Sequence, residues 1–148
     1  MSTIHIYTAS TDHHDAQVTA TTPSAWAVIL CYDQHQKALT DGGYGQTEAA
    51  LTLTAIIHAL KMLKRHDLPI HIHTTSPVIA EHLTKQHYLT WRQENWQLAD
   101  KPLEDLQLWQ ELVPLIESCP DIIFTYHDNA DKIMTTATMT LSAVMTKL

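Results

Sequence analysis

The sequence predicts an α/β fold, a five-stranded mixed sheet with helices on both faces, and two observations carry that expectation. Two extended stretches, Ala25–Tyr32 and Gln36–Tyr44, follow one another across a short polar turn, as hairpin strands do. Behind them, strands and helix-patterned segments alternate to the end of the chain. Antiparallel strands at the front joined to such an alternation make a mixed sheet, which buries its two surfaces under helices.

Each element has its own local reason. Residues 3–8 (TIHIYT) alternate apolar and polar, as a half-buried strand does. A polar stretch fills residues 9–24, with turn residues and little to bury. Ala25–Tyr32 reads as a buried strand, Asp33-Gln-His-Gln as its turn, and Gln36–Tyr44 as its partner, ended by Gly42-Gly43. From the N-cap Thr47, apolar residues recur at Leu53, Ile56, Ile57, Leu60 and Leu63, a helical spacing that runs out near His66 before Pro69. Ile70–Thr75 is the next strand, and Ser76 with Pro77 opens a helix to about Lys85. A tryptophan-bearing connection from Trp91 to Pro102 leads to a helix over Leu103–Glu117, a short strand over Ile122–Tyr126 and a last helix over Asp131–Lys147.

Composition narrows the function classes. At 148 residues the chain is expected to form a single domain, 1–148, with enough core to dispense with disulfides. Cys31 and Cys119 have no metal or redox spacing and read as reduced, packed thiols. The start, MSTIHIYT, lacks a basic segment followed by an apolar one, and the longest apolar run, Ala25–Tyr32, is too short for a membrane helix. A cytoplasmic protein without membrane partners is the expectation. The formal charge of −7, with 9 Lys and Arg against 16 Asp and Glu, disfavours a general nucleic-acid binder. Protonation of all eleven histidines would carry that balance from −7 to +4, although ordinary polar surface positions are the stronger expectation for them.

The stretch TWRQENWQLADKPLEDLQLWQEL, Thr90–Leu112, goes beyond pattern. Trp91 and Trp96 precede Ala99-Asp100-Lys101, and Leu108-Trp109-Gln110 with Leu112 follows on a helix. This resembles the handle region of bacterial type 1 ribonuclease H. The run Ala55-Ile56-Ile57 through Leu60 and Leu63 is similar to the family's first helix, and IYTAST to the end of its first strand. The resemblance covers nearly the whole chain and implies the ribonuclease H-like fold.

It also implies a chemistry. The family holds two Mg²⁺ or Mn²⁺ ions on four carboxylates, and the ions activate water and stabilise the leaving oxygen of a phosphodiester. At the matching positions this chain has Ala9, Thr52, Thr75 and Thr135. Magnesium takes hard oxygen ligands, and carboxylates supply the negative charge that makes it dehydrate. The substitution of all four therefore predicts a member without catalytic residues, without a metal cofactor and acting by binding. Three features agree. The segment between the first two strands has lost the family's glycines. Glu48 and Ala49 stand where the family carries an asparagine pair that reads RNA hydroxyls. The loop before the last helix is shortened to His127-Asp128-Asn129-Ala130, with His127 a candidate for the family's proton-shuttling histidine.

The handle changes sign as well: from Thr90 to Leu106, Arg92 and Lys101 face Glu94, Asp100, Glu104 and Asp105. Trp91, Arg92, Trp96 and Lys101 are the candidate nucleic-acid contacts, with packing of the tryptophans the stronger expectation. A protein partner or a homodimer is the favoured target. The alternatives are RNA or RNA/DNA hybrid bound without cleavage, and an active enzyme whose metal site is rebuilt from Glu48, Asp131, Asp12, Asp15 or Asp128. One further constellation stands apart. His5, His71 and His73 share the alternation of Ala9 and Thr75 and so point to one face. Three histidines can bind zinc, although separate hydrogen bonding of each ring is the stronger expectation.

Overall fold

The structure, a computed structural model, describes residues 3–11, 18–63, 67–98, 101–102, 105–128 and 132–146, without the side chains of 97, 98, 101, 102 and 133. Strands β1 (Ile4–Ser10), β2 (Pro23–Tyr32) and β3 (His35–Tyr44) precede helix α1 (Glu48–Met62). Strand β4 (Ile70–Thr74), helices α2 (Pro77–Thr84) and α3 (His87–Gln93) and the two-residue strands β5 (Gln97–Leu98) and β6 (Lys101–Pro102) follow. Helix α4 (Leu106–Glu117), strand β7 (Ile122–Tyr126), a 3-10 turn over Lys132–Met134 and helix α5 (Thr135–Thr146) complete the order. The main sheet runs β3-β2-β1-β4-β7, with β1 antiparallel to β2 and parallel to β4, and β4 parallel to β7. That is the predicted five-stranded mixed sheet.

Strand alternation sends the two sets of side chains to opposite faces. Ile4, Ile6, Val28, Leu30, Ile70 and Ile72 join Leu53, Ile56 and Leu60 of α1 and Leu112 and Ile116 of α4 in the large core cluster. Each fully buried side chain of this size contributes roughly 1.5–3 kcal/mol relative to exposure. On the other face, Ala9 and Ile29 meet Met134 and Ala137 from the start of α5, with Tyr7, Cys31 and Leu141 around them. Helix α5 packs chiefly on β1, β2 and β3. That leaves this face of β4 to His71 and His73, with Ile123 and Thr125 of β7 beside them.

Several local features differ from the expectation: β1 runs on to Ser10 and β2 begins at Pro23, so the ends of the stretch read as polar are buried strand, and α5 begins at Thr135 after the 3-10 turn. The hairpin turn is tighter, because Tyr32 pairs with His35 and the loop is only Asp33 and Gln34. Asp33 adopts φ 53°, and a short polar side chain tolerates this left-handed conformation. Trp91 belongs to a helix, α3, rather than to an irregular connection. Helix α4 starts at Leu106, since Asp105 has φ 59° and cannot continue a right-handed helix. The predicted end of α1 near His66 lies outside the described residues; the helix itself stops at Met62, with Leu63 extended. No helix among the described residues is long and apolar enough to cross a membrane.

Candidate functional site

The carboxyl ends of β1 and β4 lie side by side. Thr8 pairs with Thr74 in the parallel register; Thr75 follows the end of β4, while Ala9 is still paired with Ala27 of β2. Helix α1 reaches the same end: Thr47 caps it by accepting from the Ala50 amide at 3.2 Å, and Thr52 lies just past its first turn. Ala9 is 1% exposed, Thr52 1% and Thr75 7%. A network of neutral groups ties this region together. Ser10 Oγ and Thr52 Oγ1 are 2.8 Å apart. Thr8 Oγ1 donates to the His73 carbonyl at 3.2 Å, and the Ser76 amide donates to Thr74 Oγ1 at 3.1 Å. Ser76 Oγ caps α2 by accepting from the Ile79 amide. Thr135 is the exposed first residue of α5, and its neighbour Met134 packs in one cluster with Ala9.

Glu48, the acid one turn before Thr52, is half-buried in the first turn of α1. Glu81 lies on α2 and accepts from Lys85 Nζ at 2.9 Å, a contact that holds its carboxyl below the ordinary range. Asp128 is exposed beyond β7. Asp12, Asp15 and Asp131, and with them the pair His13-His14, lie outside the described residues. Among the described residues, no group of three or more acids, cysteines and histidines with ligand atoms within 4.8 Å includes a carboxylate.

The handle segment is folded onto the core. Trp91 is 8% exposed, with its ring 5.0 Å from that of Trp109 in an edge-to-face arrangement, so it offers no open face for a base. Trp96 is half-buried against the same cluster. The Arg92 guanidinium makes two parallel bonds to the Glu117 carboxylate, 2.9 and 3.0 Å long. This contact lowers the pKa of Glu117 and raises that of Arg92. Lys101 falls in β6, its side chain outside the described set. The Trp91 ring is thus packed inside, and the exposed Arg92 guanidinium is paired with an acid. Elsewhere a groove of about 640 Å³ lies among Leu83, Leu89, Ile116, Cys119, Ile122 and Phe124, beside the start of β7 and away from the strand ends.

The histidines do converge. His5 and His71 are paired in the β1–β4 register, and His73 faces Tyr7. His5 Nδ1 lies 3.0 Å from His73 Nε2, and His73 Nδ1 lies 2.8 Å from His127 Nε2. His71 Nε2 is 2.7 Å from Thr125 Oγ1. His73 is buried, whereas His5 and His71 are half-buried. Burial, followed by repulsion from His5 and His127, lowers the pKa of His71. His5, His73 and His127 are therefore linked ring to ring, whereas His71 has a separate partner in Thr125. Sequence alternation identified the shared face; the part of His127 depends on the loop that follows β7 and had no sequence signal.

A family model described as RNase H matches residues 5–126. The ribonuclease H of Dichelobacter nodosus is 39% identical over 89 residues, 59% of this chain, and the matched part spans 57% of that relative's length. Among solved structures, LC9-RNase H1, a type 1 RNase H with the type 2 active-site motif, superposes with a TM-score of 0.81 at 15% identity. The match covers 99% of this chain and 73% of that one. LC11-RNase H1 in complex with RNA/DNA hybrid gives a TM-score of 0.66 at 15% identity, covering 97% of each chain. Similarity at that identity establishes the fold alone.

Proposed function

The chain belongs to the RNase H family, and within it we propose a non-cleaving member that acts by binding another protein or a second copy of itself. The observation that carries this reading is the neutral character of Ala9, Thr52 and Thr75, buried together where the resemblance calls for carboxylates, with Thr52 bonded to Ser10. Alanine offers no donor atom, and a threonine hydroxyl is a neutral ligand that supplies none of the negative charge a carboxylate brings to Mg²⁺. Without a bound metal pair, neither the attacking water nor the leaving oxygen is activated.

The choice of a protein partner rests on charge and on the sheet edge. Among the described residues, Lys61 is paired with Glu111, Lys85 with Glu81 and Arg92 with Glu117, which leaves fewer cations for phosphates. Strand β7 forms one edge of the sheet, and Ile123 and Tyr126 on it are 53% and 46% exposed. An edge strand with apolar side chains is a surface suited to pairing.

Titration calorimetry with Mg²⁺ tests the loss of the metal site: no saturable heat below millimolar concentration is expected, and sub-millimolar binding contradicts the proposal. Light scattering across a dilution series tests self-association. A second reading, RNA/DNA hybrid bound without cleavage, draws support from the similarity to LC11-RNase H1, a protein solved with such a hybrid. A gel shift at low salt, run at acidic and at neutral pH, separates the two readings, because phosphate contacts weaken steeply with salt.

A further inference from the structure

The row of histidines on β1 and β4 lies on the sheet face that α5 leaves open, and it is chemically unlike the strand ends. His73 precedes Thr75 by two residues on the same strand face, which sets the rings roughly 7 Å down the sheet from the degenerate carboxylate position. The donors there are imidazoles. Such ligands suit zinc and neighbouring transition metals and are poor partners for magnesium.

We propose that His5, His71 and His73 form a binding site for a zinc-class divalent cation, with the fourth coordination position left to water. One nitrogen from each ring lies within 4.8 Å of the other two. Zinc–nitrogen bonds of about 2.0–2.1 Å at tetrahedral angles put ligand nitrogens roughly 3.3 Å apart. The pair His5 Nδ1 and His73 Nε2, at 3.0 Å, stands a few tenths of an ångström inside that spacing.

Tautomers also fit. When His73 donates from Nδ1 to His127 Nε2, its Nε2 carries the lone pair a metal needs. His5 then moves its own proton from Nδ1 to Nε2, and a second lone pair turns inward without any net change in charge. Thr125 Oγ1 orients His71, as His127 orients His73. Partners of this kind are what hold a metal-binding imidazole in the correct tautomer and direction.

The rings are already arranged by the sheet. His5 and His71 are fixed opposite each other by the β1–β4 register, and His71 and His73 stack at 3.9 Å between centroids. Little chain ordering remains for a metal to impose. Cys31, the cross-strand partner of His5, does not belong to the group, so the coordination is three imidazoles and an exchangeable position. This inference is independent of whether the strand-end site cleaves.

The test is zinc titration by calorimetry on untagged protein stripped with EDTA. One zinc per chain with sub-micromolar affinity is expected, and His5→Asn and His73→Ala should each weaken it at least about tenfold. The exposed residues His35 and His58 serve as controls, and His35→Asn and His58→Asn should leave the affinity unchanged. Binding only at millimolar zinc, or equal affinity in His5→Asn and the unmodified chain, overturns the site. If His73→Ala fails to fold, cobalt substitution of the unmodified protein decides. Intense visible absorption of tetrahedral cobalt, abolished by added zinc, supports the site, and the pale spectrum of octahedral cobalt overturns it.

Discussion

Ser10 Oγ and Thr52 Oγ1 stand 2.8 Å apart, joining the last residue of β1 to α1 through two neutral hydroxyls. Both side chains are buried, at 4% and 1% exposure, and among the described residues each hydroxyl is the other's side-chain partner. Thr52→Val removes one of them and should destabilise the fold by about 1–3 kcal/mol. The double variant Ser10→Ala with Thr52→Val should recover part of that loss, since both polar groups then leave together. Urea denaturation of the three proteins checks it, and a Thr52→Val variant as stable as the parent contradicts the contact.

The same argument explains why neutral residues occupy these positions. Carboxylates gathered without a metal repel one another and lose solvation on burial. Restoring the acids together, as Ala9→Asp, Thr52→Glu, Thr75→Asp and Thr135→Asp, should lower the melting temperature in EDTA. An unchanged or higher melting temperature is the adverse result.

The handle tests packing against recognition. Trp91 is buried beside Trp109, and Trp91→Ala should cost about 3–5 kcal/mol through the cavity it leaves. Thermal or chemical denaturation reads that loss directly. A variant that keeps its stability but loses affinity for a nucleic acid would assign the ring to recognition instead.

His82 supplies a pH signature away from both sites. Burial, followed by repulsion from His87 2.9 Å away, lowers its pKa below the ordinary 6.5, against a smaller opposing pull from Glu81. Because the folded value is depressed, the unfolded chain takes the proton first as pH falls. The stabilisation is complete above the unfolded pKa and is lost as pH drops through about 6.5 toward the folded value. Stability measured at about pH 7.5 and again at about pH 5.5 should therefore fall less in His82→Gln than in the parent protein. An equal fall in both proteins removes His82 as a contributor.

The residue pattern itself carries much of this fold. The alternation over Ile70–Thr74 and the apolar spacing from Leu53 to Leu60 report burial directly, and β4 and α1 lie where those patterns place them. Helix α3 left no such trace. It is seven residues long and begins at Gln86 in a left-handed conformation, without a side-chain cap. The hairpin turn hid its register because His35 is polar and exposed whether it pairs or not. Ala9, Thr52 and Thr75 were identified by matching motifs, yet the bond between Thr52 and Ser10 required the packing of α1 against β1. The histidine row shows the same division. Alternation put His5, His71 and His73 on one face, whereas the link to His127 arises only when β7 lies beside β4.

The most direct measurement is cleavage of an RNA/DNA hybrid by the purified chain in Mg²⁺ and, separately, in Mn²⁺. No product above the metal-only control is predicted at any protein concentration. Metal-dependent product that disappears in Glu48→Ala would contradict the account, because it would mean that acids outside the four matching positions have rebuilt the site.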